Sequence, residues 1–242
     1  MGLEVLRGRV SHYQAERHFA DFVFTDQDRE GMGVLAVAAG LAGLSGQAVG
    51  MASAAGSTKE EADYLQFEID GKPVKGWVWR SPFQEGDRVE VAAEWQADHY
   101  ELYAITRPAD NTIALYPHCS RGSKSHWRNA WSSWLWGTAY FILFGMCFLG
   151  VFGFFRGETL TDEDYIEYLS VMLAGSTVFF YPFFALMTWS LGRKWMPFVR
   201  MSERVFTALG WDNPAEVDLV KRSKAQRRGG EALEYGVFYF RY

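Results

Sequence analysis

With 242 residues, 49% of them apolar and 17% aromatic, the chain has the length for one or two domains, and 24 basic against 29 acidic side chains leave a formal net charge of −5. That modest charge hides a split between an acidic stretch at 156–168 and a basic run at 221–228, so whole-chain charge is a poor guide to partners. Of the two cysteines, Cys147 lies inside a charge-free stretch and Cys119 ahead of it, too far apart in depth to bridge.

The start, residues 1–9, alternates apolar and charged side chains and lacks the basic-then-apolar order of a signal peptide. Leu6 stands where N-myristoylation wants Ser or Thr. Residues 3–10 and 19–25 read as two short strands, the second aromatic and β-branched. Residues 31–56 form a separate block of Gly, Ala, Ser, Val, Leu and Met. Strands resume at 64–69, 74–79, 88–95, 101–107 and 112–116, with hairpin turns at Asp70-Gly71 and Ala109-Asp110-Asn111, where Gly and Asn tolerate positive φ. Val89, Val91 and Ala93 alternate with Arg88, Glu90 and Ala92, which predicts one buried face. Regularly spaced short strands predict a small antiparallel β-barrel of the OB or SH3-like sort.

Two stretches without a charged side chain follow, 131–155 and 169–191. A bilayer core about 30 Å thick needs roughly 20 apolar residues in a helix, so each is long enough to span it. Pro182 predicts a kink after Tyr181, with the freed backbone satisfied by Ser, Thr or a neighbouring helix. Residues 196–209 are apolar at helical spacing, and Asn213-Pro214-Ala215-Glu216 predicts a helix that runs to about Arg228 and stops at Gly229-Gly230. The alternation at 235–242 predicts a terminal strand that returns to the barrel. The expected architecture is an α+β membrane protein. A cytoplasmic β-domain at 1–118 carries the Gly/Ala-rich helical insertion, a transmembrane hairpin occupies 119–192, and C-terminal cytoplasmic helices with a terminal strand fill 193–242.

Flanking charge sets the expected orientation. Arg121, Lys124 and Arg128 precede the first span, Arg193, Lys194, Arg200 and Arg204 follow the second, and the connector is acidic. Lys and Arg beside a span are retained on the cytoplasmic side, so both termini are expected there, with the inner membrane of a bacterium as the location. Trp131, Trp134 and Trp136 at one span, with Trp189 and Trp195 at the other, are expected to form one aromatic belt. Gly46 and Gly50 make a GxxxG pair suited to close helix packing. The small-residue block is expected as a helical hairpin against the domain or dipping into the membrane, since a single crossing would split the strands between two sides. The aromatic-rich spans could also self-associate into a homo-oligomer.

Reactive chemistry is thinly signalled. His118, Cys119 and His126 resemble metal ligands, but a zinc site wants tight pairs and no second pair exists. Asp162, Glu163, Asp164 and Glu167 lack the EF-hand glycine, and Thr161 with Asp164 more simply starts a helix. No nucleophile elbow, P-loop or paired-His signature is present, and neither span holds an ionisable residue such as a transporter needs. Trp77, Trp79 and Trp95 are expected to fill the barrel core rather than stack on bases, for want of a basic groove. No enzyme activity, cofactor, metal or nucleic acid is expected; the lipid bilayer is.

The ordered layout of β-domain with Ala/Gly insertion, the segment Tyr116-Pro117-His118-Cys119-Ser120-Arg121-Gly122, a Trp-rich first span and an aromatic tail resembles a group of bacterial membrane proteins associated with type VI secretion. Members beside toxin genes resemble immunity proteins. The resemblance implies an inner-membrane immunity protein that neutralises a cognate antibacterial effector by binding it. The competing expectations are a membrane-disrupting effector and a non-enzymatic membrane scaffold.

Overall fold

The computed structural model describes residues 2–20, 22, 60–155, 157, 163–227 and 229–242. The Gly/Ala block with Gly46 and Gly50, and the acidic residue Asp162, lie outside the described residues. The chain divides into two compact units: Met1–Arg121 with Met201–Tyr242, and Gly122–Arg200.

The first unit is built on β1 (Glu4–Ala20), β2 (Glu60–Ile69), β3 (Lys72–Val78), β4 (Arg88–Trp95), β5 (Tyr100–Arg107), β6 (Thr112–Leu115) and β7 (Tyr239–Arg241). The strands pair in the order β3-β2-β1-β4-β5-β6-β7, and a parallel contact between β3 and β5 closes the first five into a barrel. Alternation dictates which side chains fill it. Leu65, Phe67 and Ile69 of β2, Val74 and Val78 of β3, Val89 and Val91 of β4, and Leu102 and Ile105 of β5 are all buried. Each such side chain contributes roughly 1.5–3 kcal/mol of burial, so the barrel carries its own core. Asp70 and Gly71, at φ 49° and 77°, give the β2–β3 hairpin the doubly positive φ that matches strand twist.

Closure depends on one glycine. Gly76 sits at φ +155°, and a Cβ there would lie 2.7 Å from the Leu102 Cβ and 2.9 Å from the Leu102 backbone nitrogen and oxygen. The absent side chain lets β3 approach β5.

Three expectations need correction. The strand expected at 3–10 is part of one strand of 17 residues that also takes in residues 19 and 20 of the second expected strand, whose remainder apart from Phe22 lies outside the described residues; it changes register between Ser11 and Gln14, with His12 at φ 54°. Its first part pairs with β4 and its second with β2, as a strand shared across a barrel must. The helix expected from Asn213 breaks in two. Pro214–Glu216 is a single 3₁₀ turn behind a left-handed Asn213, Val217 is extended, and α4 (Leu219–Ala225) starts from Asp218, whose carboxylate accepts the Lys221 amide at 2.9 Å. The tryptophans expected in the barrel core lie outside it: Trp77 and Trp79 are half-buried and Trp95 is 41% exposed. The terminal strand does return, since β7 pairs antiparallel with β6 and buries Phe240.

The second unit is an antiparallel pair, α1 (Ser123–Phe155) and α2 (Glu163–Lys194), both long and apolar enough to cross a membrane. They start earlier than the charge-free stretches, because polar first turns extend each helix. The large side chains of this unit point outward: Phe144 is 74% exposed, Phe155 81% and Val178 75%. α3 (Met196–Ala208) follows one residue after α2 and runs on into the barrel unit, where its Val205 and Phe206 are fully buried.

Candidate functional site

The hairpin has a basic and an acidic end. His126 donates from Nε2 to the Gly192 carbonyl at 3.1 Å, which fixes that tautomer because a carbonyl only accepts. A Cβ on Gly192 would meet Trp127 Cζ3 at 2.7 Å, so the glycine admits the indole. These contacts bring the first turns of α1, with Lys124 and Arg128, to the last turn of α2, with Arg193 and Lys194. Arg128 donates to Ser125 Oγ at 3.3 Å. At the other end Tyr165 donates to the Leu149 carbonyl at 2.8 Å, its ring seated where Gly153 has no side chain. Glu163 and Asp164 lie in the first turn of α2, which suits their charge to the helix dipole.

The tryptophans line the helix pair near its basic end. Trp131 stacks on Trp127 with centroids 6.1 Å apart and meets Trp134 edge-on at 5.4 Å. Trp134 Nε1 donates to the Tyr181 carbonyl at 3.1 Å, so an indole from the neighbouring helix bonds the backbone beside Pro182. Trp136 is 60% exposed, Trp189 lies under the Arg193 guanidinium at 4.8 Å, and Trp195 contacts Phe198.

Arg121 belongs to the barrel unit, where its Nε donates to Asp218 at 3.3 Å and ties the end of the barrel to α4. The three residues weighed as metal ligands have separate partners. His118 Nε2 lies 2.6 Å from Glu60, His126 holds Gly192, and burial pushes the Cys119 thiol up to about 12, partly offset by a hydrogen bond with Ser202. Among the described residues no three His, Cys, Asp or Glu side chains gather for a metal ion.

The barrel unit carries two polar features that sequence patterning missed. Arg80 is buried, with Nη2 donating to Glu61 at 2.5 Å, its guanidinium 5.3 Å from the Phe238 ring and 3.6 Å from Glu234, so it fastens the C-terminal segment to β2 and β3. Asp63 beside it bonds Arg17 at 3.0 Å and the Ser81 amide at 2.9 Å. The second feature is a groove of about 490 Å³ whose wall holds Arg7, Arg9 and Arg88. Alternation marks Arg88 as outward, but its neighbour across the sheet emerges only from the strand register. No protein-family model, curated protein or solved structure matches the chain.

Proposed function

We propose that this chain is a bacterial inner-membrane immunity protein, which holds a partner-binding barrel at the cytoplasmic face and neutralises a type VI secretion effector by binding it. The observation that carries the reading is the union, in one chain, of a closed barrel with two helices long and apolar enough to cross a membrane. Sidedness is supported by β7 pairing with β6: the chain before the hairpin and the chain after it join one sheet, which favours one side of the membrane for both. The basic residues at the ends of both helices nearest that sheet in sequence favour the cytoplasm for it. Five strands with a parallel β3–β5 closure and a long insertion between β1 and β2 support an OB-type barrel. The association with toxins comes from the resemblance of the layout.

Co-expression with the product of the adjacent toxin gene in sensitive bacteria tests this. Growth is restored if the reading holds; unrestored growth at good membrane expression defeats it. Growth arrest on expression of the chain alone would instead favour a membrane-disrupting effector.

A further inference from the structure

The register between β1 and β4 sets Arg9 directly opposite Arg88, and both are exposed. Side chains so placed leave Cβ atoms about 4.5–5.5 Å apart, and like charges in that position destabilise a sheet. Other arginines of this unit are matched to carboxylates: Arg7 to Glu90 at 2.9 Å, Arg17 to Asp63 at 3.0 Å and Arg107 to Asp87 at 2.6 Å. The side chains of Arg9 and Arg88 have no hydrogen-bond or ion-pair partner among the described residues. They face the 490 Å³ groove, where Gly8 lets the β2–β3 turn close on β1: a Cβ on Gly8 would meet Ile69 Cγ2 at 2.5 Å and Asp70 Oδ2 at 2.9 Å. Folding alone gives no reason to set two unpaired arginines opposite one another at an open groove; an oxyanion between them relieves the repulsion and takes two charge-assisted forks.

We infer that this groove binds carboxylate side chains of an acidic protein segment, clamped between Arg9 and Arg88. The inference rests on reading the barrel as a partner-binding head. Charge selects the carboxylate over a phosphate. Arg7 and Glu90 cancel, leaving two arginines against Asp70, which also lines the groove. That remaining single positive charge suits singly charged carboxylates, and Asp70 opposes a dianionic phosphate. A chain of formal net charge −5 repels polyanions as a whole, so capture here is specific to the site.

The test uses the full chain in detergent at low salt, with fluorescein-labelled hexaglutamate as probe and anisotropy as readout. Hexaglutamate binds, hexalysine does not, and the R9A/R88A double variant binds at least tenfold more weakly. R9K/R88K keeps the charge, loses the planar fork and falls between the two. Without probe, R88A melts about 1–4 °C higher than the parent, because the unrelieved repulsion is gone. Equal binding by R9A/R88A would overturn the site, and tighter binding of inorganic phosphate than of hexaglutamate would overturn the assignment to carboxylates. If hexaglutamate binds as expected but co-expression fails to protect against the toxin, the immunity reading falls and the groove assignment stands.

Discussion

The barrel unit and the hairpin unit solve opposite problems with the same side chains. In the barrel, Leu65, Leu102 and Ile105 are fully buried, and the strands keep them from water. In the hairpin, Phe144, Phe155 and Val178 face outward, and the surface is as apolar as an interior. The helices that carry this surface are long and apolar enough to cross a membrane, and their polar atoms find partners within the hairpin: Ser176 and Thr177 return their hydroxyls to the Leu173 carbonyl, and Trp134 donates its N–H to a backbone oxygen. The lesson is that hydrophobic content alone does not identify a core; the direction in which it points does.

The strongest way to separate the two units is Gly76→Val. It forces a side chain into the β3–β5 seam and is expected to destabilise the barrel by about 4–5 kcal/mol or more. Near-UV circular dichroism should collapse while far-UV helicity from the hairpin persists; joint loss would mean the units are not independent. Next, Val178→Lys places a charge in the middle of α2. In lipid it costs about 2.5–3.5 kcal/mol of insertion, seen as loss from the membrane fraction, whereas a water-facing helix would change by less than about 0.5 kcal/mol.

Alkaline pH acts on the barrel through two buried acids. Burial raises the Cys119 thiol from 9.0 to about 12 and the Tyr116 phenol from 10.0 to about 12. Both are neutral acids whose unfolded forms ionise first, so their stabilisation is complete below the unfolded values and is lost as pH climbs towards 12. From Cys119 alone the slope is about 1.4 kcal/mol per pH unit above pH 9, measurable by denaturant titration and absent in Cys119→Ala. The smallest effect is expected in the hairpin: Trp134→Phe removes the bond to Tyr181 and costs about 0.6 kcal/mol by helix-association measurements in micelles.

Much of this organisation was legible beforehand, for identifiable reasons. The strand expected at 88–95 is β4, whose Val89, Val91 and Ala93 are buried as the alternation predicts, although Ala92, expected on the opposite face, is buried too where the pairing with β5 shifts register. The two long apolar helices announce themselves by charge exclusion. The middle of β1 escaped notice because its side chains from Gln14 to His18 are exposed on both faces and carry no alternation. The helix cap at Asn213 misled because burial of Val217 and the bond from Arg121 to Asp218 override a good local signal. Among the surface residues, Arg9 and Arg88 each look ordinary in sequence, and only pairing makes them a couple.

The seat of β7 beside β6 has a consequence for biogenesis. Both apolar helices are synthesised between these two strands, so the ribosome delivers Tyr239–Arg241 only after both helices have been made. Under the proposed membrane topology, a nascent chain whose helices enter with the wrong parity strands Tyr239–Arg241 across the bilayer and leaves the β6 edge bare. On that topology β7 pairing reports on threading: a wrongly threaded molecule displays an open strand edge, the kind of surface that invites non-native pairing.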